Sequence, residues 1–172
     1  MRDLDGRIGE AWAGDVPDGS HVNVVIARRG SPTAAAAAGV LASPRPGHAP
    51  FLVCPTGGGE IVRPATIVVN KSTIADERLG RITWGAAQLG VAQGVLDALA
   101  DGTLAAEEAG ELVLLVALWV DPAAADETAV RRANREAMRA ALADATAPVD
   151  PAAVRGLVAR REQVANAFYT GD

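Results

Sequence analysis

The residue best suited to proton chemistry in this chain is His21, within the stretch GSHVNVVIARRGSP at residues 19–32. An unperturbed imidazole titrates at about pH 6.5, so it can take up and release a proton at neutral pH. His21 lies where a turn rich in Gly, Pro and Asp meets a β-branched run, a rigid mount that is open to a ligand on one side. A lone histidine has no specific signature, and the same position also suits a side chain that bonds to its own loop.

The second histidine and the single cysteine are weaker candidates. His48 lies between Gly47 and an Ala-Pro pair, which indicates a loop histidine. Cys54 ends the apolar run FLVC, and a free cysteine inside a strand usually behaves as a small hydrophobic side chain. We therefore expect Cys54 in the core. One cysteine excludes an intramolecular disulfide, and with only two histidines beside it we expect no zinc site.

A cation and a hydroxyl follow the run ATIVVN, at Lys71 and Thr73 in the stretch NKSTIAD. Side chains two residues apart point the same way if the strand continues, and this pair then suits a polar ligand. The alternative is a helix N-terminus, with Ser72 or Thr73 as the cap and Asp76 in the first turn.

One amide lies in an otherwise apolar stretch, at Gln88 in WGAAQLG. Such an amide is either a buried polar group with satisfied hydrogen bonds or a ligand contact. The chain has no Gly-x-Ser-x-Gly motif of a serine hydrolase, no Gly-x-Gly-x-x-Gly fingerprint and no phosphate-binding Gly-Lys-Ser/Thr loop. The familiar signatures of hydrolases and nucleotide-binding proteins are therefore absent.

Composition narrows the class of protein. A length of 172 residues suits one domain, and 49% hydrophobic residues with only 3% aromatic ones predict a core of Ala, Val, Leu and Ile. The net charge of −5 argues against binding nucleic acid through a broad basic surface. The N-terminal stretch lacks the apolar core of a signal peptide, and no run reaches the ~18 apolar residues of a membrane helix. We expect a cytoplasmic protein with no membrane partner.

Periodicity and turn residues predict five strands and four helices. The β-branched and apolar runs predict strands over residues 7–13, 21–28, 49–54, 65–70 and 111–121. Helical spacing of small and apolar residues predicts helices over 32–43, 84–102 and 127–145, with a last helix or ordered tail over 152–168.

Strands come first, and helices are threaded between and after them. This order favours a two-layer α/β sandwich, with helices on one face of a mixed or largely antiparallel sheet. Sustained βαβ alternation is absent, which argues against a doubly wound parallel sheet.

Taken in order, several of these stretches resemble the formaldehyde-activating enzyme family, the tetrahydromethanopterin-linked hydro-lyases. The matching stretches are IGEAWAGD, SHVNVVIARRGSP, GHAPFLV, NKSTIAD, WGAAQLGVAQGV, ELVLLVALWV and NREAM. They cover about residues 8–145 in nearly constant register, and the ordered series is specific although no single motif is. We accordingly expect a family-like domain over residues 1–147 and a C-terminal helical extension over residues 148–172.

The resemblance implies a reaction in which formaldehyde condenses with two nitrogens of tetrahydromethanopterin, giving the methylene derivative and water. It also implies a ring-shaped homopentamer with pterin sites between subunits, a reduced pterin as co-substrate, and no metal. His21 falls on the family's proton donor. The positions that line the pterin site in the family fall on Leu52, Lys71, Thr73 and Gln88.

One departure from the family concerns the residue two places after the histidine. Family enzymes have an aspartate there, and this chain has Asn23, which we still expect to contact the substrate. An amide offers one acceptor and one donor and carries no charge, whereas a carboxylate accepts two hydrogen bonds. Two alternatives therefore stay open: a homologue that acts on a different amine or aldehyde, and a non-catalytic pterin- or aldehyde-binding module.

Overall fold

The computed structural model describes residues 3–55 and 58–165. Within these residues there are five strands: β1 (Arg7–Ala13), β2 (Ser20–Arg28), β3 (Phe51–Leu52), β4 (Ala65–Asn70) and β5 (Leu112–Val120). The α-helices are α1 (Pro32–Leu41), α2 (Glu77–Arg81), α3 (Gln88–Ala100), α4 (Glu127–Thr146) and α5 (Pro151–Ala159).

The strands form one open sheet in the order β1-β2-β5-β4-β3. Every neighbouring pair is antiparallel except β4 and β5, which run parallel. The α/β class and the mixed sheet predicted from the sequence are therefore confirmed. The two longest runs of Val, Ile and Leu, β2 and β5, lie side by side and have sheet neighbours on both edges.

The alternation of side chains along β2 separates two environments. Ser20 and every second residue up to Ile26 are buried, and the Ser20 hydroxyl donates to Asn134 Oδ1 on α4 at 2.9 Å. This face of β2 therefore lies beneath α4. His21 and Asn23 alternate with the buried residues, so their side chains share the opposite face and stay accessible.

Small residues allow the helices to pack closely. A Cβ added at Gly9 of β1 would lie 2.1 Å from the carbonyl oxygen of Ala141 and 2.4 Å from the amide nitrogen of Ala145, both on α4. A Cβ at Gly90 of α3 would similarly lie 2.3 Å from the carbonyl oxygen of Arg131. Backbone-to-backbone packing of this kind positions α4 over β1 and β2, and α3 beside α4.

The third strand is shorter than predicted. It covers Phe51–Leu52 rather than residues 49–54, with prolines on both sides at Pro50 and Pro55. Cys54 lies beyond the strand and is exposed. The expectation that this thiol is buried in the core was therefore wrong, because proline lacks the N–H that would extend the ladder past it.

The helix after β4 begins earlier than predicted and has a different cap. The carboxylate of Asp76 accepts a hydrogen bond from Leu79 N at 2.7 Å, so Asp76 is the N-cap of α2 rather than Ser72 or Thr73. The chain then passes through one π-helical turn at Ile82–Ala87 directly into α3. The predicted start at residue 84 missed this first segment because it is interrupted by Gly80 and by β-branched residues.

After residue 147 the chain, as far as it is described, forms the helix α5 and then a short turn of 3-10 helix at Arg161–Gln163. The predicted last segment over 152–168 is thus helical to residue 159, and its final residues lie outside the described range. Among residues 3–55 and 58–165, no helix is both long and apolar enough to cross a membrane.

Candidate active site

His21 is the second residue of β2 and lies between two tryptophans. In the sheet register it is opposite Trp12 of β1 and Trp119 of β5. The Trp12 and His21 ring centroids are 5.5 Å apart, and those of Trp12 and Trp119 are 5.0 Å apart. The imidazole side chain is 29% exposed. Two strand pairings and an aromatic neighbour therefore hold the ring while one side stays open.

Lys71 reaches His21 from the end of β4. Its backbone N–H donates to Leu118 O at 2.6 Å, so the chain continues along β5 for one residue beyond the strand. The Lys71 side chain then lies across β5 to β2. Its Nζ is 3.0 Å from His21 Nδ1 and donates to Asn23 Oδ1 at 2.7 Å. The structure therefore brings together three of the residues that the sequence singles out.

Glu10 completes the group from β1, where it is the cross-strand neighbour of Asn23. Its Oε2 accepts a hydrogen bond from Asn23 Nδ2 at 3.0 Å and lies 3.4 Å from His21 Nε2. Glu10, His21, Lys71 and Asn23 thus form a closed circuit of polar contacts, which we call the polar ring. Asn23 uses both ends of its amide within the ring, one towards the cation and one towards the carboxylate.

The charges of the polar ring fix the position of the imidazole proton. A lysine ammonium has donors and no acceptor, so when Lys71 is charged the contact requires His21 Nδ1 to accept and to carry no hydrogen of its own. The hydrogen of the neutral imidazole is then on Nε2, on the side of Glu10. Partial removal of the Lys71 ammonium from water lowers the pKa of Lys71 below its usual value, and the Glu10 carboxylate opposes that shift.

A cavity of about 440 Å³ opens beside the polar ring. This volume is within the range of sites that hold small organic ligands. Apolar side chains form most of its wall, with a few polar groups to orient a ligand. The lining residues are Trp12, Val16, His21, Lys71, Trp119 and Asp121.

A larger depression of about 570 Å³ lies on the outer surface between α3 and α4. Its side chains are mostly charged, and the central ones pair across the two helices. Arg135 contacts the Asp97 carboxylate through two hydrogen bonds of 2.6 and 2.7 Å, and this pairing lowers the pKa of Asp97. The charged side chains of this depression therefore serve to pair α3 with α4, and we place the candidate site at the smaller cavity.

His48 lies in a loop, as predicted, where it makes an isolated bridge with Arg45. Its ring has a supporting position that the sequence did not suggest. Nδ1 lies 2.8 Å from Asn70 O, and Nε2 lies 3.1 Å from Thr73 Oγ1. His48 therefore anchors Thr73 to the end of β4, two residues from Lys71.

Leu52 and Gln88 lie apart from the polar ring within the chain. Leu52 is opposite Ile67, four residues before Lys71, which is about 13 Å along a strand. The Gln88 carboxamide is used locally: Oε1 accepts from Cys54 N at 3.0 Å, and Nε2 donates to Trp84 O. Apart from Thr73, which contacts His48, the expected site residues thus fall into two groups, His21, Asn23 and Lys71 in one, Leu52 and Gln88 in the other.

Glu10 and the two tryptophans of the cavity were missed by reasoning from the sequence. The only available signal was the alternation in RIGEAWA, which puts Glu10 and Trp12 on one face of β1. Without the register between β1 and β2, that alternation does not say which residues of β2 they meet. Among residues 3–55 and 58–165, no group of three or more His, Cys, Asp or Glu side chains is placed to hold a metal ion.

Comparison with known proteins gives matches over most of the chain. The family described as formaldehyde-activating enzyme matches residues 8–169. A 5,6,7,8-tetrahydromethanopterin hydro-lyase from Methanosarcina barkeri is 36% identical over 142 residues, which are 83% of this chain and 79% of that protein.

Longer proteins also match. Bifunctional Fae/Hps enzymes from Methanothrix thermoacetophila and Archaeoglobus fulgidus are 33% and 31% identical over 135 and 139 residues. These alignments cover 78% and 81% of this chain, but only 34% and 35% of the two bifunctional enzymes. The chain thus corresponds to about one third of each bifunctional protein.

Proposed function

Because the chain belongs to the formaldehyde-activating enzyme family, we propose that it condenses formaldehyde with tetrahydromethanopterin and releases the methylene derivative and water. The polar ring around His21 supports locating the active site here, because it lies at the edge of a cavity with largely apolar walls. A flat reduced pterin suits such walls, and the few polar groups suit its ring nitrogens.

His21 is the general acid of the proposed reaction. Formaldehyde adds to amines unaided, so the enzyme has to supply proximity and one well-timed proton. A proton from His21 to the hydroxyl of the carbinolamine lets that group leave as water and forms an iminium. The second pterin nitrogen then attacks the iminium carbon and closes the ring. General acid catalysis of this kind contributes about 10²–10⁴-fold to a rate.

Binding energy in this reaction has to come from the pterin, because formaldehyde offers almost no surface to bind. The residues that we assign to pterin binding are Asn23, Leu52, Lys71, Thr73 and Gln88. Thr73 is held by His48 at 3.1 Å, which supports a fixed position for its hydroxyl. We also propose that residues 148–172, which include the solvent-exposed helix α5, extend a core domain formed by residues 1–147.

We further propose a cytoplasmic homo-oligomer, a ring of five subunits with the pterin sites between neighbours. The separation of His21 and Lys71 from Leu52 and Gln88 supports this, since two neighbouring subunits could each supply one group. Large apolar side chains that line the cavity are also exposed, Val16 at 67% and Trp12 at 48%. Exposed apolar patches of this kind mark contacts with other proteins.

The oligomer has a direct test. Native mass spectrometry should give a single species of five times the chain mass of 17.6 kDa. A monomer at micromolar concentration would contradict a site shared between subunits. The exposed apolar residues would then need another explanation.

The activity itself is tested by stopped-flow measurement of formaldehyde consumption with tetrahydromethanopterin. We expect a rate clearly above that of the uncatalysed reaction, which is measured in parallel at the same pH and buffer concentration. Tetrahydrofolate serves as a comparison pterin. Failure to exceed the uncatalysed rate with either pterin would overturn the assignment.

Asn23 favours a second candidate, in which the same scaffold condenses formaldehyde or another aldehyde with a different amine. An amide in place of the family's aspartate removes one charge that could bind pterin N–H groups. The same stopped-flow assay with other secondary amines distinguishes the two candidates. Catalysis with such an amine and none with the pterins would favour the second, and saturable binding without turnover would indicate a binding module.

A further inference from the structure

Lysine is exceptionally rare in this chain. Of its 16 basic residues, 15 are arginines and one is a lysine, Lys71. Arginine supplies a permanent charge, because the guanidinium does not release its proton in proteins, whereas a lysine ammonium loses a proton readily when it is partly desolvated. The single lysine therefore occupies the one basic position where a removable proton lies against the imidazole of the proposed acid.

The contacts of Lys71 give this proton a path. Nζ lies 3.0 Å from His21 Nδ1, so a proton can pass between them without any movement of the backbone. The Nε2–H of His21 faces Glu10 at 3.4 Å, which is longer than a normal hydrogen bond. The Glu10 side chain is 68% exposed and can give way to a substrate hydroxyl.

We propose that Lys71 is the source of the proton that His21 delivers to the substrate, and that Glu10 and Asn23 are positioning residues that hold the pair in register. The inference rests on the proposed function and extends it, since a neutral imidazole can give its Nε2 proton to the substrate only if another group protonates Nδ1. Lys71 would thereby have a role in proton transfer in addition to pterin binding.

The proton transfers balance over one turnover. As the C–O bond of the carbinolamine breaks, the nitrogen lone pair forms the iminium, and the Nε2 proton of His21 goes to the departing oxygen to make water. Nδ1 takes a proton from Lys71, which becomes a neutral amine. When the second pterin nitrogen attacks the iminium carbon, it loses a proton to Nε2. The Nδ1 proton then returns to Lys71, and the enzyme is regenerated.

The pH dependence follows from the charges around Lys71. Of the titratable groups in the described part of the chain, Glu10 from β1 and His21 from β2 belong with Lys71 to the polar ring, and Asp121, one residue after β5, lines the cavity. Lys71 must be protonated to act, so the turnover rate falls as pH rises through the pKa of Lys71. Partial desolvation lowers the pKa of Lys71. The turnover rate should therefore fall at a lower pH than it would for an ordinary lysine, whose pKa is about 10.4. A carboxylate at position 23 would raise the pKa of Lys71, so Asn23→Asp should move the alkaline loss of turnover to higher pH.

The ground state can be examined without any assay of activity. Lysine labelled with 15N at Nζ gives one resonance in this chain, because Lys71 is its only lysine. Its titration should occur at lower pH than that of an exposed reference amine added by Arg81→Lys on α2, where the native side chain is 62% exposed. Histidine labelled with 15N should show His21 with hydrogen on Nε2 and none on Nδ1, and His48→Gln assigns the two histidines.

The kinetic test uses Lys71→Arg, which keeps a cation and hydrogen-bond donors but withholds the proton. We expect kcat at saturating pterin to fall by about tenfold or more, and the alkaline fall in the rate to disappear. Glu10→Gln should reduce kcat and keep an alkaline fall, moved to lower pH because the carboxylate that raises the pKa of Lys71 is lost. The Arg81→Lys variant serves as the matched control and should keep the wild-type rate and pH profile.

The possible outcomes separate this inference from the proposed function. A wild-type protein without activity overturns the function, and the tautomer and titration measurements then still decide whether Lys71 is poised against His21. Hydrogen on Nδ1 of His21, or titration of Lys71 together with the reference amine, overturns the inference even in an active enzyme. Full kcat and an unchanged pH profile in Lys71→Arg overturn it as well.

Discussion

His21→Ala should reduce kcat with saturating pterin by about 10²–10⁴-fold while leaving the protein folded and assembled. The imidazole is the proposed proton donor and lies 3.0 Å from Lys71 Nζ, so its loss removes the acid and disconnects Lys71 from the reaction. The side chain is partly exposed and contributes little to the core. The residual activity should come from positioning the two substrates in one cavity.

The second histidine provides a matched control for this variant. His48→Gln disturbs the anchoring of Thr73 but leaves the polar ring intact, so we expect a higher KM for the pterin with kcat close to that of the wild type. Stopped-flow kinetics of both variants, with circular dichroism and native mass spectrometry for folding and assembly, separates the two roles. Equal kcat values for His21→Ala and the wild type would remove His21 from the mechanism.

Gly9→Ala should destabilise the fold by about 3 kcal/mol or more, although the substitution adds a single methyl group. The new Cβ would lie 2.1 Å from Ala141 O and 2.4 Å from Ala145 N, and backbone atoms in a long helix cannot rotate away as a flexible side chain can. Relief requires α4 to move off β1, which opens the buried face of the sheet. The measurement is the midpoint and slope of chemical denaturation at one fixed protein concentration.

A glycine in α1 provides the control of opposite sign. A Cβ at Gly39 would meet nothing within 4 Å, and the residue lies in the exposed part of the helix. Gly39→Ala should therefore stabilise the protein by about 0.5–1 kcal/mol, because alanine loses less backbone entropy on helix formation. If both glycine variants changed stability in the same direction, the close packing of α4 on β1 would not be the cause.

The sheet and most helices could be predicted because their signals are local. The runs at residues 21–28 and 111–121 are rich in β-branched and apolar side chains, which predicts strands. The structure has strands at Ser20–Arg28 and Leu112–Val120. The segments that were wrong depend on non-local or atomic detail. The end of β3 depends on where Pro55 interrupts pairing with β4, and the start of α2 depends on which of three neighbouring polar residues caps it.

The candidate site could be predicted only in part for a related reason. His21 and Asn23 share a face because they are two residues apart in one strand, which the sequence shows directly. Their contact with Lys71 depends on β5 lying between β2 and β4, and their contact with Glu10 depends on the register of β1. Nothing in the spacing along the chain determines either pairing, so the sequence alone does not identify Glu10 as a site residue.

The pairing of β2 with β5 has a consequence for how the protein acquires activity. His21 is opposite Trp119, so the two walls of the cavity come from parts of the chain that are far apart in sequence. Contacts between such distant segments close large loops and form late in folding, after local helices. Refolding monitored by helix content should therefore run ahead of refolding monitored by catalysis, because turnover requires both the native sheet and, in the proposed ring, the assembly of neighbouring subunits.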